Sequence, residues 1–201
     1  GWHDPDYPAL LRRIASPPLL LYVAGDPASL WHPMVAVVGT RSPTAGGRDN
    51  AHDFAHALAM SGLAVTSGLA AGIDTAAHEG AISANGMTVA VLGTGPDVPY
   101  PRTNAGLHRR IIERHGAIVS EHPPGTQPRR EHFPARNRLL AGLTLGTLVI
   151  EAAQRSGALI TARLAADCGR DVFAVPGSIH NPLARGCHRL IRDGAGLVER
   201  A

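Results

Sequence analysis

The 201-residue sequence predicts an α/β fold, a doubly wound and mostly parallel sheet with helices on both faces. Three observations carry that prediction. Short apolar runs alternate with helical stretches, which is the rhythm of βαβ units. Five of the runs break downstream into a glycine-containing turn, at Gly39, Gly68, Gly93, Gly157 and Gly177. The intervening helices also carry stop signals, Ser61-Gly62 and Asn85-Gly86, that suit a left-handed C-terminal glycine. Glycine after a strand lets backbone N–H groups come close to a ligand, so one edge of the sheet reads as a phosphate-binding rim.

Residues 1–33 read as a preface that packs beside the main sheet. It holds a short helix from Pro8 to Ile14, the Pro17-Pro18 break, a strand from Leu19 to Val23 and a turn at Gly25-Asp26-Pro27. From Met34 the alternation becomes regular and defines a main domain over 34–201. Strands are expected near 34–39, 63–67, 87–92, 117–119, 146–151 and 171–175, with helices at Asp49–Met60 and Ala71–Asn85 among those between them. Residues 121–133, EHPPGTQPRREHF, form a long proline-rich excursion of the kind that more often serves function than chance.

Composition narrows the partners. All 19 basic residues are arginine, the formal net charge is +3 and the pI is near 9.4. Guanidinium forks suit phosphates and stack on bases, which favours a nucleic-acid partner, although a GC-rich coding bias would produce the same arginine excess. Cys168 and Cys187 lie in no CxxC pattern and read as reduced thiols of a cytoplasmic protein. No signal peptide or run of bilayer length is present, so no membrane role is expected. Beginning on Gly1 without Met, the sequence reads as a piece of something longer.

Several motifs fall on the rim. Arg41 follows Gly39-Thr40 directly after the first regular strand, so its guanidinium should rise above the carboxyl edge where open α/β sheets bind ligands; a salt bridge to Asp74 is the alternative. SGLAAGID, from Ser67 and Gly68 to Asp74, turns from strand to helix and offers N–H donors to an anion. GTGPDVPYP, Gly93 to Pro101, is a third turn at the same edge, equally readable as a rigid connection. FPARNR, with Phe133, Arg136, Asn137 and Arg138, opens a helix and follows Arg129-Arg130. An aromatic ring among arginines is the mixture that stacks a base and grips flanking phosphates, unless Phe133 is a helix staple packing inward. Ser156-Gly157 opens the next helix after Glu151, whose lone carboxylate suits holding backbone N–H groups better than acid–base chemistry.

Other chemistries are disfavoured. No Gly-Lys-Ser/Thr follows the glycines, GTRSPTAGG is not GxGxxG, and Thr66-Ser67-Gly68 stands where a dinucleotide enzyme places its ribose-binding acid. Ser67, Asp74 and His78 have the residue types of a triad without a GxSxG elbow. His52 and His56 are spaced as paired ligands, but no third ligand is evident, so neither a metal nor a cofactor is expected.

VGTR at 38–41, SGLAAGIDTAAHEGA at 67–81, VLGTGPDVPYPRTN at 91–104, Ser120-Glu121, FPARNRLLAGL at 133–143, EAAQRSGALITARLA at 151–165, AVPGS at 174–178 and RGCHRLIRDGA at 185–195 together resemble the DprA (Smf) DNA-processing family. The resemblance runs from about Tyr7 to Val198. It implies an extended Rossmann-like domain that binds single-stranded DNA, forms a homodimer and hands the strand to a RecA-type recombinase in natural transformation. It implies DNA contacts at Gly39, Thr40, Arg41, Arg130, Phe133 and Arg136 to Arg138, with Arg130 standing where the family carries lysine. Family members often add an N-terminal helical domain and a C-terminal winged helix. With Ser67, Gly68, Ser156 and Gly157 from the turns, these residues make a non-catalytic strand-binding groove. The enzyme alternative is a nucleotide phosphoribohydrolase of the lonely-guy type, but EAAQRSG stands where that family has PGGxGTxxE. A domain sensing a small nucleotide is the third reading.

Overall fold

The computed structural model describes residues 1–201, and its eight strands form one sheet in the order β1-β5-β4-β3-β2-β6-β7-β8. The strands are β1 (Tyr22–Gly25), β2 (Met34–Gly39), β3 (Ala64–Ser67), β4 (Thr88–Val91), β5 (Ala117–Ser120), β6 (Gly146–Ile150), β7 (Asp171–Ala174) and β8 (Gly196–Leu197). Only β1 runs antiparallel to its neighbour, pairing Tyr22 with Ser120 and Gly25 with Ala117. Every residue of β3, β4, β5 and β6 is buried, as parallel strands covered on both faces require.

Alternate residues of each strand feed opposite cores. Val37, Leu148 and Ile150 pack beneath α2 (Ala45–Met60) and α3 (Ile73–Ser83) with Phe54, Ala55 and Ala77. Val38 and Val149 point the other way, into Leu139, Leu140 and Leu143 of α5 (His132–Leu143) and Ala158 and Ala162 of α6 (Gly157–Asp167). Leu107 and Ile111 of α4 (Ala105–Glu113) cover Ala90 and Ile118, and Cys187 of α7 (Arg185–Arg192) joins the α5–α6 core. Cys168 and Cys187 are both free thiols. The N-terminal residues contribute β1 to the sheet edge and lay α1 (Ala9–Arg12) on α5 through Tyr7, Leu11 and Ile14.

The differences from the sequence reading are local. Helix α2 begins at Ala45 rather than Asp49, because Thr44 caps it by accepting from the Gly47 N–H at 3.0 Å and so offsets the poor propensity of Gly46-Gly47. Helix α3 begins at Ile73 rather than Ala71, after Gly72 turns the chain at φ +82°. The first strand lies at Tyr22–Gly25 rather than Leu19–Val23, since its limits are set by the ladder to β5. Two-residue β8 is exposed and carries no apolar run to announce it.

One buried group makes stability depend on pH. The His78 ring is fully buried in α3; its Nδ1 lies 2.7 Å from Thr88 Oγ1, which itself donates to the Val65 carbonyl, and Nε2 has no partner. Burial, aided by the Arg136 charge, pushes its pKa from 6.5 down to about 3. The unfolded chain therefore takes up a proton that the folded protein refuses across that window. Stability is complete above 6.5 and declines as pH falls toward 3. Urea midpoints should drop between neutral pH and about pH 4, and His78→Leu should drop less.

Candidate nucleic-acid interface

The strand order reverses at β2, which has β3 on one side and β6 on the other. Ligands of doubly wound sheets sit outside the carboxyl ends of the strands at such a point. A cavity of about 350 Å³ opens there, with Arg41, Phe133, Ser156 and Gly157 at its mouth and Asp74, Arg136 and Asn137 deeper in.

The backbone at the end of β2 is already engaged. Gly39 pairs with Ile150, and any Cβ there would run into the Ile150 carbonyl and the Ile73 side chain. The Thr40 N–H donates to Glu151 O at 2.7 Å, its carbonyl accepts from Ile73 N at 3.1 Å, and its Oγ1 accepts from Ser42 N at 3.3 Å. The rim at Gly39-Thr40 thus positions Arg41 instead of offering free amides of its own. The Arg41 guanidinium is exposed, enters no ion pair, and lies 5.9 Å over the Phe133 ring.

Glu151 fixes the loop that carries Arg41. With a left-handed backbone at φ +49°, its carboxylate accepts from Thr44 N at 2.8 Å, Thr44 Oγ1 at 2.5 Å and Asn181 Nδ2 at 3.2 Å. The carboxylate ties the α2 cap to the end of β6, the holding role its position suggested. Glu151→Ala is expected to cost about 2 kcal/mol in urea unfolding, because hydrogen bonds to a charged group are worth more than neutral ones.

Several residues anticipated as ligand contacts are placed otherwise. Ser67 is fully buried and donates to Val37 O at 2.7 Å. Gly68 is held from both sides: its N–H donates to Asp74 Oδ2 at 3.1 Å and its carbonyl accepts from Arg136 at 3.0 Å. A Cβ at Gly68 would lie 2.5 Å from the Arg136 guanidinium, so the glycine serves that internal contact rather than a ligand's approach. Arg136 is only 5% exposed and also donates to the Val91 carbonyl. Burial lowers its pKa to about 10, which leaves it cationic at neutral pH, while burial pushes Asp74 upward against the pull of that charge. Asp74, the alternative partner considered for Arg41, forms no ion pair and instead accepts from the Gly68 and Ala70 amides at 3.1 and 3.3 Å. Asn137 is buried, with Nδ2 3.5 Å from Gly157 O, and Arg138 grips Glu121 through two bonds of 2.6 and 2.7 Å and Ser16 O through Nε. Ser67, Gly68, Arg136, Asn137 and Arg138 thus build the crevice from behind.

Three anticipated residues, Phe133, Ser156 and Gly157, join Arg41 at its mouth. Arg130, like Arg129, is exposed, enters no ion pair and lies outside the cavity lining. Phe133 is half-buried, with the Tyr100 ring 5.2 Å away at 37°. Ser156 caps α6, accepting from Ala158 N at 3.3 Å, and Gly157 is exposed with open space where a Cβ would sit. The N-terminus of α6 thereby faces the cavity, a geometry that favours anions.

Sequence reasoning did not foresee Tyr100 as part of this cluster, nor how the proline-rich excursion is braced. Asp97 accepts from Gly125 N at 2.8 Å, Gly95 N donates to Thr126 O at 2.9 Å, and His122 stacks on His132 at 4.0 Å. The Gly93–Pro101 turn and the excursion therefore clamp each other, and Phe133 stands where they meet α5. His52 and His56 stack at 6.2 Å with Ser83 between their polar atoms, and no group of three metal-ligating side chains forms.

A Rossmann-like domain with a switch-point crevice, lined by arginine and an aromatic ring and backed by buried Asp74 and Arg136 that hold Gly68 between them, is the class that fold and site define. All of residues 1–201 match the DNA recombination-mediator protein A family, and the chain belongs to it. It is 48% identical to Protein Smf of Synechocystis over 97% of its own length, of which it covers 50%. The structure of DNA processing protein A from Streptococcus pneumoniae superposes with a TM-score of 0.93 at 47% identity, over 98% of this chain and 69% of that one. DNA processing protein A from Helicobacter pylori, whose structure concerns its single-stranded DNA binding mode, gives a TM-score of 0.85 at 31% identity, over 95% and 87%. The chain thus spans about half the length of the Synechocystis relative.

Proposed function

We propose that the crevice seats a single strand of DNA without performing chemistry on it. Arg41, Arg129 and Arg130 meet phosphates, the open N-terminus of α6 at Gly157 receives another, and Phe133 stacks a base. The observation that carries this reading is the pairing of Arg41 with Phe133 at the mouth, a phosphate-gripping cation 5.9 Å from a stacking ring. Similarity to the Helicobacter pylori protein supports it. The family's description as a recombination mediator supports a further step, in which a homodimer protects incoming DNA and passes it to a RecA-type recombinase during transformation.

The occupied carboxylate of Glu151 argues against the phosphoribohydrolase alternative, because its oxygens already accept three protein hydrogen bonds. Fluorescence anisotropy with a labelled oligothymidine and single- or double-stranded competitors tests the core reading. Single strands should compete better than duplex, with a salt slope near 0.7 per neutralised phosphate. Preference for duplex would overturn it, and release of free base from a nucleoside monophosphate would restore the enzyme. Faster recombinase filament growth on coated single strands, when this protein is added, is the expected sign of hand-over.

A further inference from the structure

We propose that the bound strand does not stop at Arg41 but crosses it into a second hollow on the α2–α3 side, where Arg48 holds the next phosphate. This rests on the single-strand reading above and assigns the strand's path.

The second hollow has a volume of about 670 Å³ and lies between the β2–α2 connection, the first turns of α2 and the start of α3. Arg41 lines both hollows and forms the ridge between them. Arg48, in the first turn of α2, is exposed and enters no ion pair or side-chain hydrogen bond. The facing wall is made of Ala71, Gly72, Thr75 and Ala76, residues compact enough for a sugar–phosphate backbone to lie against the helix.

The local charges permit it. Two carboxylates, Asp49 and Glu79, line this hollow, and Glu79 is neutralised by Arg110 at 2.8 Å. His52 is turned toward Asp53 and Ser83, at 3.3 Å from each. Arg41, Arg48 and Arg110 therefore outnumber Asp49 and Glu79 by one. In the opposite direction, beyond Ser156, the hollow between α6 and α7 also carries arginines: Arg163 and Arg189 already face Asp167 at 3.9 Å and Asp193 at 3.5 Å, whereas Arg155 is exposed and enters no ion pair. Both exits therefore carry an unpaired arginine, and the α2 side is singled out by Arg41, itself an unpaired cation that lines both hollows.

The test uses two oligothymidines, one of about six nucleotides that fills the crevice and one of about sixteen that reaches beyond it. Anisotropy titrations across salt are made with the wild-type protein, Arg48→Ala and Arg48→Glu. Both substitutions lie on an exposed helical turn, and circular dichroism checks that the fold is retained. The short strand should bind all three alike. The long strand should lose about 3- to 10-fold in affinity with Arg48→Ala and about 0.7 of its salt slope, and more with Arg48→Glu. Wild-type affinity and slope for the long strand in both variants would overturn the path. Equal losses for short and long strands would also overturn it, since they would reflect a general field and not a second subsite. If wild type binds neither oligothymidine, the single-strand reading itself fails and takes this inference with it, whereas Arg41-dependent binding of the short strand alone leaves that reading standing.

Discussion

Replacing Arg136 with alanine is expected to destabilise the protein by about 3–5 kcal/mol, the cost of leaving a nearby buried charge uncompensated and buried carbonyls without their donor. The guanidinium is 5% exposed and fully committed within the protein, to the carbonyls of Gly68 and Val91 and to Asn137 Oδ1. Its removal strands two carbonyls at the ends of β3 and β4 and leaves the buried Asp74 carboxylate without the charge that balances it. Burial alone already pushes Asp74 toward its neutral form, so the variant should protonate it at a higher pH still. Urea unfolding at neutral pH measures the loss. Arg136→Met, which keeps most of the volume, should lose a comparable amount if charge is the cause, and adding Asp74→Asn to it should recover part of the loss. A change below about 1 kcal/mol in Arg136→Ala would show that Gly68 is held by something else.

That result also bears on how far the sequence could be read. The strands of the regular alternation were legible because burial on both faces leaves them as uninterrupted apolar runs, and the rim was legible because each run ends in glycine. What those glycines do was less so. Gly39 and Gly68 look alike as turn residues, yet each is small to admit a neighbour inside the protein: an Ile150 carbonyl in one case, the Arg136 guanidinium in the other. A glycine needed for internal packing and a glycine needed for a ligand leave the same letter. Arg136 did carry a signal, since it shares helical spacing with Leu139, Leu140 and Leu143, all buried. The run of polar residues in FPARNR masked that face. Arg138 is tied to Glu121 across the whole proline-rich excursion, a contact that no local pattern announces. Tyr100 was hidden for the same reason, since it reaches Phe133 only because the Gly93–Pro101 turn and the excursion brace each other.

With Arg136 and Arg138 turned inward, the single-strand reading depends more heavily on Arg41 and Phe133, and the second large effect is expected there. Phe133→Ala should weaken oligothymidine binding by about 1–3 kcal/mol, the range for one stacked base, with little change in salt slope. Arg41→Ala should weaken binding and flatten the slope by about 0.7, as loss of one phosphate contact does. Arg41→Lys should restore most of the slope but not all of the affinity, because an ammonium neutralises a phosphate without the planar fork that also lies over the ring. In the free protein the guanidinium rests over Phe133, so an incoming base must share or displace that contact. The two substitutions should therefore be non-additive, with a coupling of about 0.5 kcal/mol or more in a double-mutant cycle. Strict additivity would mean that Arg41 and Phe133 touch separate parts of the strand. Equal affinity of wild type, Arg41→Ala and Phe133→Ala across salt would remove the crevice as the binding site altogether.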